Sequence, residues 1–283
     1  MNNKLGIVLL NYINYKDTIE CIESLIRQDY KNFEIVVVDN NSQNDSLKII
    51  KNIIGHIKNV HYIQNSANLG FACGNNVGIE YLKQKLNCNF IFVLNTDTIF
   101  KSEHIISQIM SNYKENDNIG LINPMCFNKD GSLQVPYCLG NFKMIKETTR
   151  DLCFLLYQYI KNIFKIQKSF NSNKNLRTFD DIIKFKCIIQ GPAYILTPDF
   201  FEHYNRLFPL TFLYREEIAL KWYLHKAKLK TIYVKNDVII HKEGNSSKDI
   251  KDGSLKKIKM QWKSYKKIMK LFFLNKEKIK KKF

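Results

Sequence analysis

Apolar residues fall into two kinds of pattern along this chain. Leu5–Leu10, Phe33–Val38 and Phe90–Leu94 are short apolar runs in which Glu34 is the one charged residue, whereas Ile19, Ile22, Leu25 and Ile26 recur at helical spacing between the first two. Continuous runs alternating with helical segments predict parallel strands covered on both faces. With Val60–Ile63 and Ile119–Ile122 as further strands, the chain reads βαβαβαβαβ to residue 122, with helices near 17–26, 45–54, 72–86 and 102–113. Right-handed crossovers are expected of such an order. Regularity fails after Pro124. The stretch 141–184 mixes aromatic and basic residues and reads as a helix pair packed on the core, with a membrane-contacting face as the alternative. Order returns at 185–196, followed by a helix over 216–227, a strand over 231–240 and a basic helix from 253.

Charge changes the picture at one end only. Of the formal net charge of +18, eleven units lie from Gly253 onward, where twelve lysines face the single acid Glu277. The body is mildly basic and the tail is a polycation. Its apolar positions, among them Ile258, Trp262, Tyr265, Ile268 and Phe272, fall near one face, as in helices that dock on anionic membranes. The seven cysteines contain no C-x-x-C pair, which favours a reducing, cytoplasmic setting and argues against structural zinc. No run approaches the ~20 apolar residues of a spanning helix, and Leu5–Leu10 is too short for a signal peptide. The expected location is cytoplasmic, with possible peripheral attachment to the inner face of the membrane through 253–283. The expected divisions are 1–123, 124–252 and that tail.

Candidate chemistry sits where strands stop. Phe33–Val38 ends at Asp39-Asn40-Asn41-Ser42, and Phe90–Leu94 at Asn95-Thr96-Asp97. Open α/β sheets bind ligands outside the carboxyl ends of their strands, so two carboxylates at two such ends point to one shared site. Gly70, Gly74 and Gly78 follow G-x-x-x-G-x-x-x-G, which is neither a dinucleotide fingerprint nor a P-loop. They serve equally well for close helix–strand packing or for lining a ligand. Asp97 can bind a hard divalent cation, and His241, after a late strand, can add a nitrogen ligand. Carboxylates at Glu216 and Glu217 are also what a helix N-terminus favours.

Taken in order, these residues resemble family-2 inverting glycosyltransferases of the GT-A fold, especially the rhamnosyltransferase-like branch. The resemblance rests on Val36-Val37-Val38-Asp39-Asn40-Asn41-Ser42-x-x-Asp45-Ser46, on Asn68-Leu69-Gly70-Phe71-Ala72-x-Gly74-Asn75-Asn76-x-Gly78 and on Leu94-Asn95-Thr96-Asp97. Weaker matches are Gly191-Pro192-Ala193, Phe212-Leu213-Tyr214-Arg215-Glu216-Glu217 and His241-x-x-Gly244-x-Ser246.

The resemblance implies a Rossmann-like, mostly parallel α/β sheet flanked by helices. It implies a nucleotide-sugar site drawn from Asp39, Asn41, Ser42, Asn68, Gly70, Asn75, Asn95 and Asp97. It further implies Mn2+ or Mg2+ on Asp97 and His241, and Glu217 as general base. The expected donor is dTDP-rhamnose or a UDP-hexose and the acceptor a saccharide or lipid-linked glycan, in cell-surface polysaccharide assembly. A nucleotidyltransferase on a similar sheet and a basic nucleic-acid-binding protein are the alternatives. The first lacks its glycine- and lysine-rich loop between Leu5 and Thr18; the second rests on charge alone, and no nucleic-acid partner is expected. Three departures stand out: Glu217 where the family usually has Asp, Ala219 where a later Asp is usual, and Asn95 for the first acid of D-x-D. Thr197-Pro198 also stands where Arg is common.

Overall fold

The computed structural model describes residues 3–115, 117–134, 144–164, 189, 191–242 and 254–283. The expectations for 165–184 and 185–188, and for Gly244 and Ser246, lie outside the described residues. Eight strands form one sheet: β1 Leu5–Asn11, β2 Phe33–Asp39, β3 Val60–Gln64, β4 Phe90–Leu94, β5 Thr98–Phe100, β6 Ile119–Phe127, β7 Ala193–Leu196 and β8 Lys230–His241. Their order across the sheet is β3-β2-β1-β4-β7-β6-β8-β5.

The first four strands are parallel neighbours, as their continuous apolar runs predict. Alternate residues of each strand feed two cores. Val36 and Val38 point to one side of the sheet, Ile35 and Val37 to the other, and all four are fully buried. One side is covered by helices α1 (Tyr15–Ile26), α2 (Ser46–Ile54) and α4 (Ile105–Met110), through Ile22, Leu25, Ile50 and Ile106. On the other lies α3 (Gly70–Gln84), which approaches closely because it carries glycine where it crosses the strands. A Cβ on Gly78 would sit 2.6 Å from Val8 Cγ1, so this glycine is a packing device.

The second half departs from a purely parallel order. β7 inserts antiparallel between β4 and β6, and β5, three residues that the apolar pattern does not separate from β4, pairs antiparallel with the end of β8. The fifth predicted strand also runs on past Pro124 to Phe127. Proline lacks an N–H, and the ladder to β8 shifts register between Pro124 and Cys126. The Asn236 side chain fills the gap by accepting from the Met125 N–H at 2.6 Å.

Helices α5 (Met144–Ile163), α6 (Pro198–His203) and α7 (Glu216–Ala227) complete this half. α7 is buried almost all round, from Ile218 through Leu224, which explains why it lacks a clear apolar stripe. Ala219, at the position of the missing family carboxylate, is 1% exposed among apolar neighbours and serves packing.

The tail corrects the sequence reading most. It forms α8 (Leu255–Ile268), a 3-10 turn (Met269–Phe273) and α9 (Lys276–Lys282) rather than one free amphipathic helix. Its apolar residues Tyr265, Ile268, Leu271 and Ile279 are buried in the same core as α3 and α7, and Ile258 is buried in the groove against α5. The Phe272 ring packs 4.3 Å from that of Trp222. Most of the apolar face is therefore internal, with Trp262 at its edge half-buried. No described helix is long and apolar enough to cross a membrane, and the five described cysteines are free.

Ile268→Ala is accordingly expected to lower the unfolding free energy by about 2–5 kcal/mol, the range for emptying a buried isoleucine site. Urea denaturation reads this directly; a change within error of zero would mean that the tail is not part of the cooperative core.

Candidate active site

The cleft lies at the carboxyl ends of β1, β2 and β4 and has two adjoining lobes, of about 490 and 430 Å³. Phe71, Asn95, Leu213, Tyr214 and His241 border both. Pairing of β5 with β8 brings Asp97 and His241 together: Thr98 lies opposite His241, and the Lys242 N–H donates to the Asp97 carbonyl at 2.9 Å. Lys242 is itself anchored by Asp17, at 2.7 Å, and by Glu20.

Hydrogen-bond chemistry then sets how the two side chains face each other. Gln134 Oε1, an acceptor, stands 3.2 Å from His241 Nδ1, so Nδ1 carries the proton in that contact. Nε2 is then an acceptor: Asn95 Nδ2 donates to it at 3.4 Å, and Asp97 Oδ1 lies 3.2 Å away. Asp97 Oδ1 and Nε2 are both electron-pair donors, close enough for one cation to contact both. Adjacent ligands of an octahedral cation with bonds of about 2.1 Å lie roughly 3 Å apart, so the pair fits Mg2+ or Mn2+. Among the described residues no third His, Cys, Asp or Glu joins it. That leaves most of the coordination shell to water and ligand oxygens, the usual condition for a cation shared with phosphates.

Asn68 and Gly70 also line the first lobe, together with Tyr12 and Asn40. Gly70 has φ +77°, and a side chain there would run into the Phe212 carbonyl; the neighbouring Phe71 N–H donates to that carbonyl at 2.7 Å. Asn40 is the knot of this corner. Its Nδ2 donates to Asn68 Oδ1 (2.9 Å) and to the Gly70 carbonyl (3.3 Å), while its Oδ1 accepts from Asn65 Nδ2 (3.1 Å) and the Leu69 N–H (3.0 Å).

Four expected ligand residues are placed otherwise. Asp39 is 1% exposed, and its oxygens accept from Asn11 Nδ2 (2.7 Å), the Ser42 N–H (2.9 Å) and Ser42 Oγ (2.6 Å). Ser42 Oγ also accepts from the Ile13 N–H at 2.8 Å, so both side chains brace the loop from within. Asn41 turns the chain at φ +60° without lining either lobe. Asn75, 1% exposed, donates to the Phe71 carbonyl inside α3 at 2.9 Å. These residues shape the corner rather than border the space.

Glu216 and Glu217 line the second lobe with Gly191 and Arg215. They open α7 after two consecutive non-glycine residues in the left-handed region, Tyr214 (φ +70°) and Arg215 (φ +73°). Such backbone costs of order 1–3 kcal/mol per residue and persists only where surroundings hold it. Here α8 is the holder. Tyr265 lies 5.3 Å from the Arg215 guanidinium carbon, Lys257 Nζ lies 4.9 Å over the Tyr214 ring, and Ser264 Oγ donates to the Leu213 carbonyl at 3.1 Å.

Burial, and for Glu216 also the adjacent Glu217 carboxylate, pushes the Glu216 carboxyl above its ordinary range; burial pushes Glu217 up as well. Glu216 Oε1 is buried with no hydrogen-bond partner among the described residues. Glu217 Oε1 lies over Gly191, where an added Cβ would come within 2.5 Å of it.

Sequence reasoning missed Gln134, which stands in an irregular stretch without a motif. It also missed the Tyr214–Arg215 strain, which non-glycine residues do not announce. Lys256, Lys257, Met260 and Gln261 of α8 border the cleft too, and were hidden in what reads as a solvated tail.

Comparison with known proteins agrees with this geometry. The sequence profile of Glycosyl transferase family 2 matches residues 6–174, more than half of the chain, and the protein belongs to that family. It is 30% identical over 131 residues to the low-salt glycan biosynthesis hexosyltransferase Agl10 of Haloferax volcanii, covering 46% of this chain and 39% of that one. It is 28% identical over 139 residues to the dTDP-rhamnosyl transferase RfbF of Shigella flexneri, covering 49% and 44%. The chain thus aligns with less than half the length of these curated relatives.

The fold is similar to that of the mannosyltransferase PcManGT from Pyrobaculum calidifontis, solved with GDP-Man and Mn2+. The TM-score is 0.58 at 10% identity, covering 86% of this chain and 58% of that one. It is also similar to S. aureus TarS solved with UDP, at a TM-score of 0.54 and 14% identity, covering 85% and 61%. The architecture is the GT-A fold of glycosyltransferases.

Two outcomes follow from the second lobe. Gly191→Ala should displace the Glu217 carboxylate and lower turnover on the order of 10²-fold, with thermal unfolding near wild type; unaltered turnover would separate Glu217 from the chemistry. The second concerns pH. Because both carboxyls have raised values in the folded state, their contribution to stability is full below the ordinary value of 4.5 and is lost as pH rises through the raised values. Glu216→Gln should therefore flatten the decline in melting temperature above pH 4.5 and leave the variant more stable than wild type on the alkaline side.

Proposed function

We propose that this protein moves a sugar from a nucleotide-diphosphate sugar to an acceptor hydroxyl with inversion at the anomeric carbon. The observation that carries the reading is the meeting of two lobes at Asn95 and His241, with the Asp97–His241 pair bordering the first and Glu217 bordering the second. The nucleotide diphosphate occupies the first lobe and the acceptor enters the second, so nucleophile and leaving group lie on opposite sides of the sugar.

In this scheme the acceptor oxygen forms a bond to the anomeric carbon as the bond to the diphosphate oxygen breaks. Glu217 takes the hydroxyl proton, a role worth roughly 10²–10⁴-fold. Its raised value makes the ionised carboxylate a stronger base and gives activity that increases with pH as Glu217 loses its proton. A divalent cation held by Asp97 and His241 would neutralise charge that grows on the departing diphosphate. Gln134 keeps His241 Nε2 turned to that position, where Asn95 Nδ2 donates to it at 3.4 Å; a cation there would take the place of that long hydrogen bond. Family membership weighs against the nucleotidyltransferase and nucleic-acid alternatives.

The names of the relatives, a hexosyltransferase and a dTDP-rhamnosyl transferase, and the GDP-Man and UDP in the solved neighbours support a nucleotide-sugar donor. We retain dTDP-rhamnose or a UDP-hexose as the proposed donor and a saccharide or lipid-linked glycan as acceptor.

A thermal-shift series over nucleotide diphosphates with Mn2+ or Mg2+ tests the donor lobe, since a ligand at 100 times its Kd stabilises by about 2.7 kcal/mol. Asp97→Ala should abolish the cation-dependent part of that shift and the transfer activity. Glu217→Gln should keep the shift, lower turnover by about 10²–10⁴-fold and remove the rising limb of the pH profile. Cation-independent nucleotide binding that survives Asp97→Ala would defeat the assignment of the metal pair. A retained rising limb in Glu217→Gln would move the base elsewhere.

A further inference from the structure

Helix α5 carries an apolar stripe that faces away from the protein. Its inner side, Leu155 with Leu152, packs on the core. Leu156, Tyr159, Ile160 and Ile163, at i, i+3, i+4 and i+7, are 37–51% exposed, and Phe154 and Phe164 beside them are 52% and 71% exposed. From Leu152 to Phe164 the only charged residue is Lys161. Scattered surface apolar residues need no explanation; a continuous helical stripe of this kind marks a contact face.

The adjoining helix supplies the second half of the pattern. α8 packs beside α5, and a groove of about 450 Å³ between them is floored by Leu156, Tyr159, Ile258 and Trp262. Its rim is Lys259, Lys263 and Lys266, at i, i+4 and i+7 along α8. No acid occurs anywhere in α8. An apolar stripe bordered on one side by a row of lysines, with an indole at the boundary, is the arrangement that partitions into the headgroup layer of an anionic bilayer.

We propose that the α5–α8 face is a docking surface for anionic membranes. This differs from docking by the tail's apolar face alone, most of which lies in the core; Trp262, at the edge of that face, is shared. It uses the outer, lysine-bearing side of α8 and the apolar side of a different helix. α8 thereby contributes to three surroundings: Tyr265 and Ile268 enter the core, Lys256 and Met260 border the cleft, and Lys259, Lys263 and Lys266 meet the lipid headgroups. The cleft then opens beside the membrane surface. The surface stands whether or not the transfer reaction assigned to the cleft is correct.

The test is co-sedimentation of the full chain with vesicles of phosphatidylcholine alone or mixed with phosphatidylglycerol. The protein should pellet with the mixed vesicles and remain in solution with the neutral ones. K259E/K263E/K266E should weaken the partition by roughly a hundredfold. Leu156→Ser with Ile160→Ser should weaken it by about tenfold or more. Both variants replace exposed side chains, and melting temperatures should stay at the wild-type value.

A measurement that needs no substitution accompanies them. Lipids brominated in the acyl chains should quench tryptophan fluorescence through Trp262, because Trp222 is only 4% exposed in the core. Unchanged partition in the double serine variant would reduce the effect to nonspecific attraction by lysines and overturn the docking face. Absence of quenching, or of any anionic-vesicle binding, would do the same. Self-association in light scattering that the serine variant abolishes would assign the face to a second copy of the chain instead.

Discussion

Three residues of antiparallel pairing, β5 against the end of β8, bring Asp97 and His241 together at the mouth of the cleft. Thr98 can lie opposite His241 only because the chain leaves β4, turns through Asn95-Thr96-Asp97 and comes back along a strand formed far later in the sequence. The pairing places Asp97 Oδ1 and His241 Nε2 3.2 Å apart, close enough for one cation to contact both. The Lys242 contacts to Asp17 and Glu20 tie that sheet edge to α1, so the Asp97–His241 pair is braced from outside the cleft as well as within.

Much of the first half is legible in the sequence because one physical rule governs it. Strands buried on both faces must be almost continuously apolar, and Ile35–Val38 and Phe90–Leu94 are; the polar residues at which they stop then mark the cleft end of the sheet. The second half obeys no such rule. β7 is four residues long and antiparallel, β5 is three, and β6 passes through a proline with a side chain completing its ladder. Local pattern cannot foresee pairings made by a distant partner.

The cleft was readable to a similar depth. Residue types at strand ends pointed to Asp97 and His241, and the family resemblance to Glu217, and all three border the cleft. Sequence gave no means of telling a carboxylate that faces the ligand space from one that faces its own loop. Asp39 and Ser42 satisfy one another and Asn11, and Asn40, next in line, closes four hydrogen bonds at once. These groups are polar because the corner needs internal cross-links. The tail misled for the opposite reason: an amphipathic helix bears the same pattern whether its apolar side meets lipid or protein, and only Tyr265 and Ile268 in the core decide between them.

The dependence of the Tyr214–Arg215 bend on α8 has a consequence for how the molecule is made. The ring and hydroxyl that restrain the bend, Tyr265 and Ser264, are about fifty positions further along the chain. On a ribosome the parallel half can collapse early, while the bend that presents Glu216 and Glu217 must wait until α8 has emerged and docked. Contacts of such sequence separation form slowly. Lys256 and Met260 of the same helix border the first lobe, so neither lobe is complete until α8 has docked, and a nascent chain gains both together.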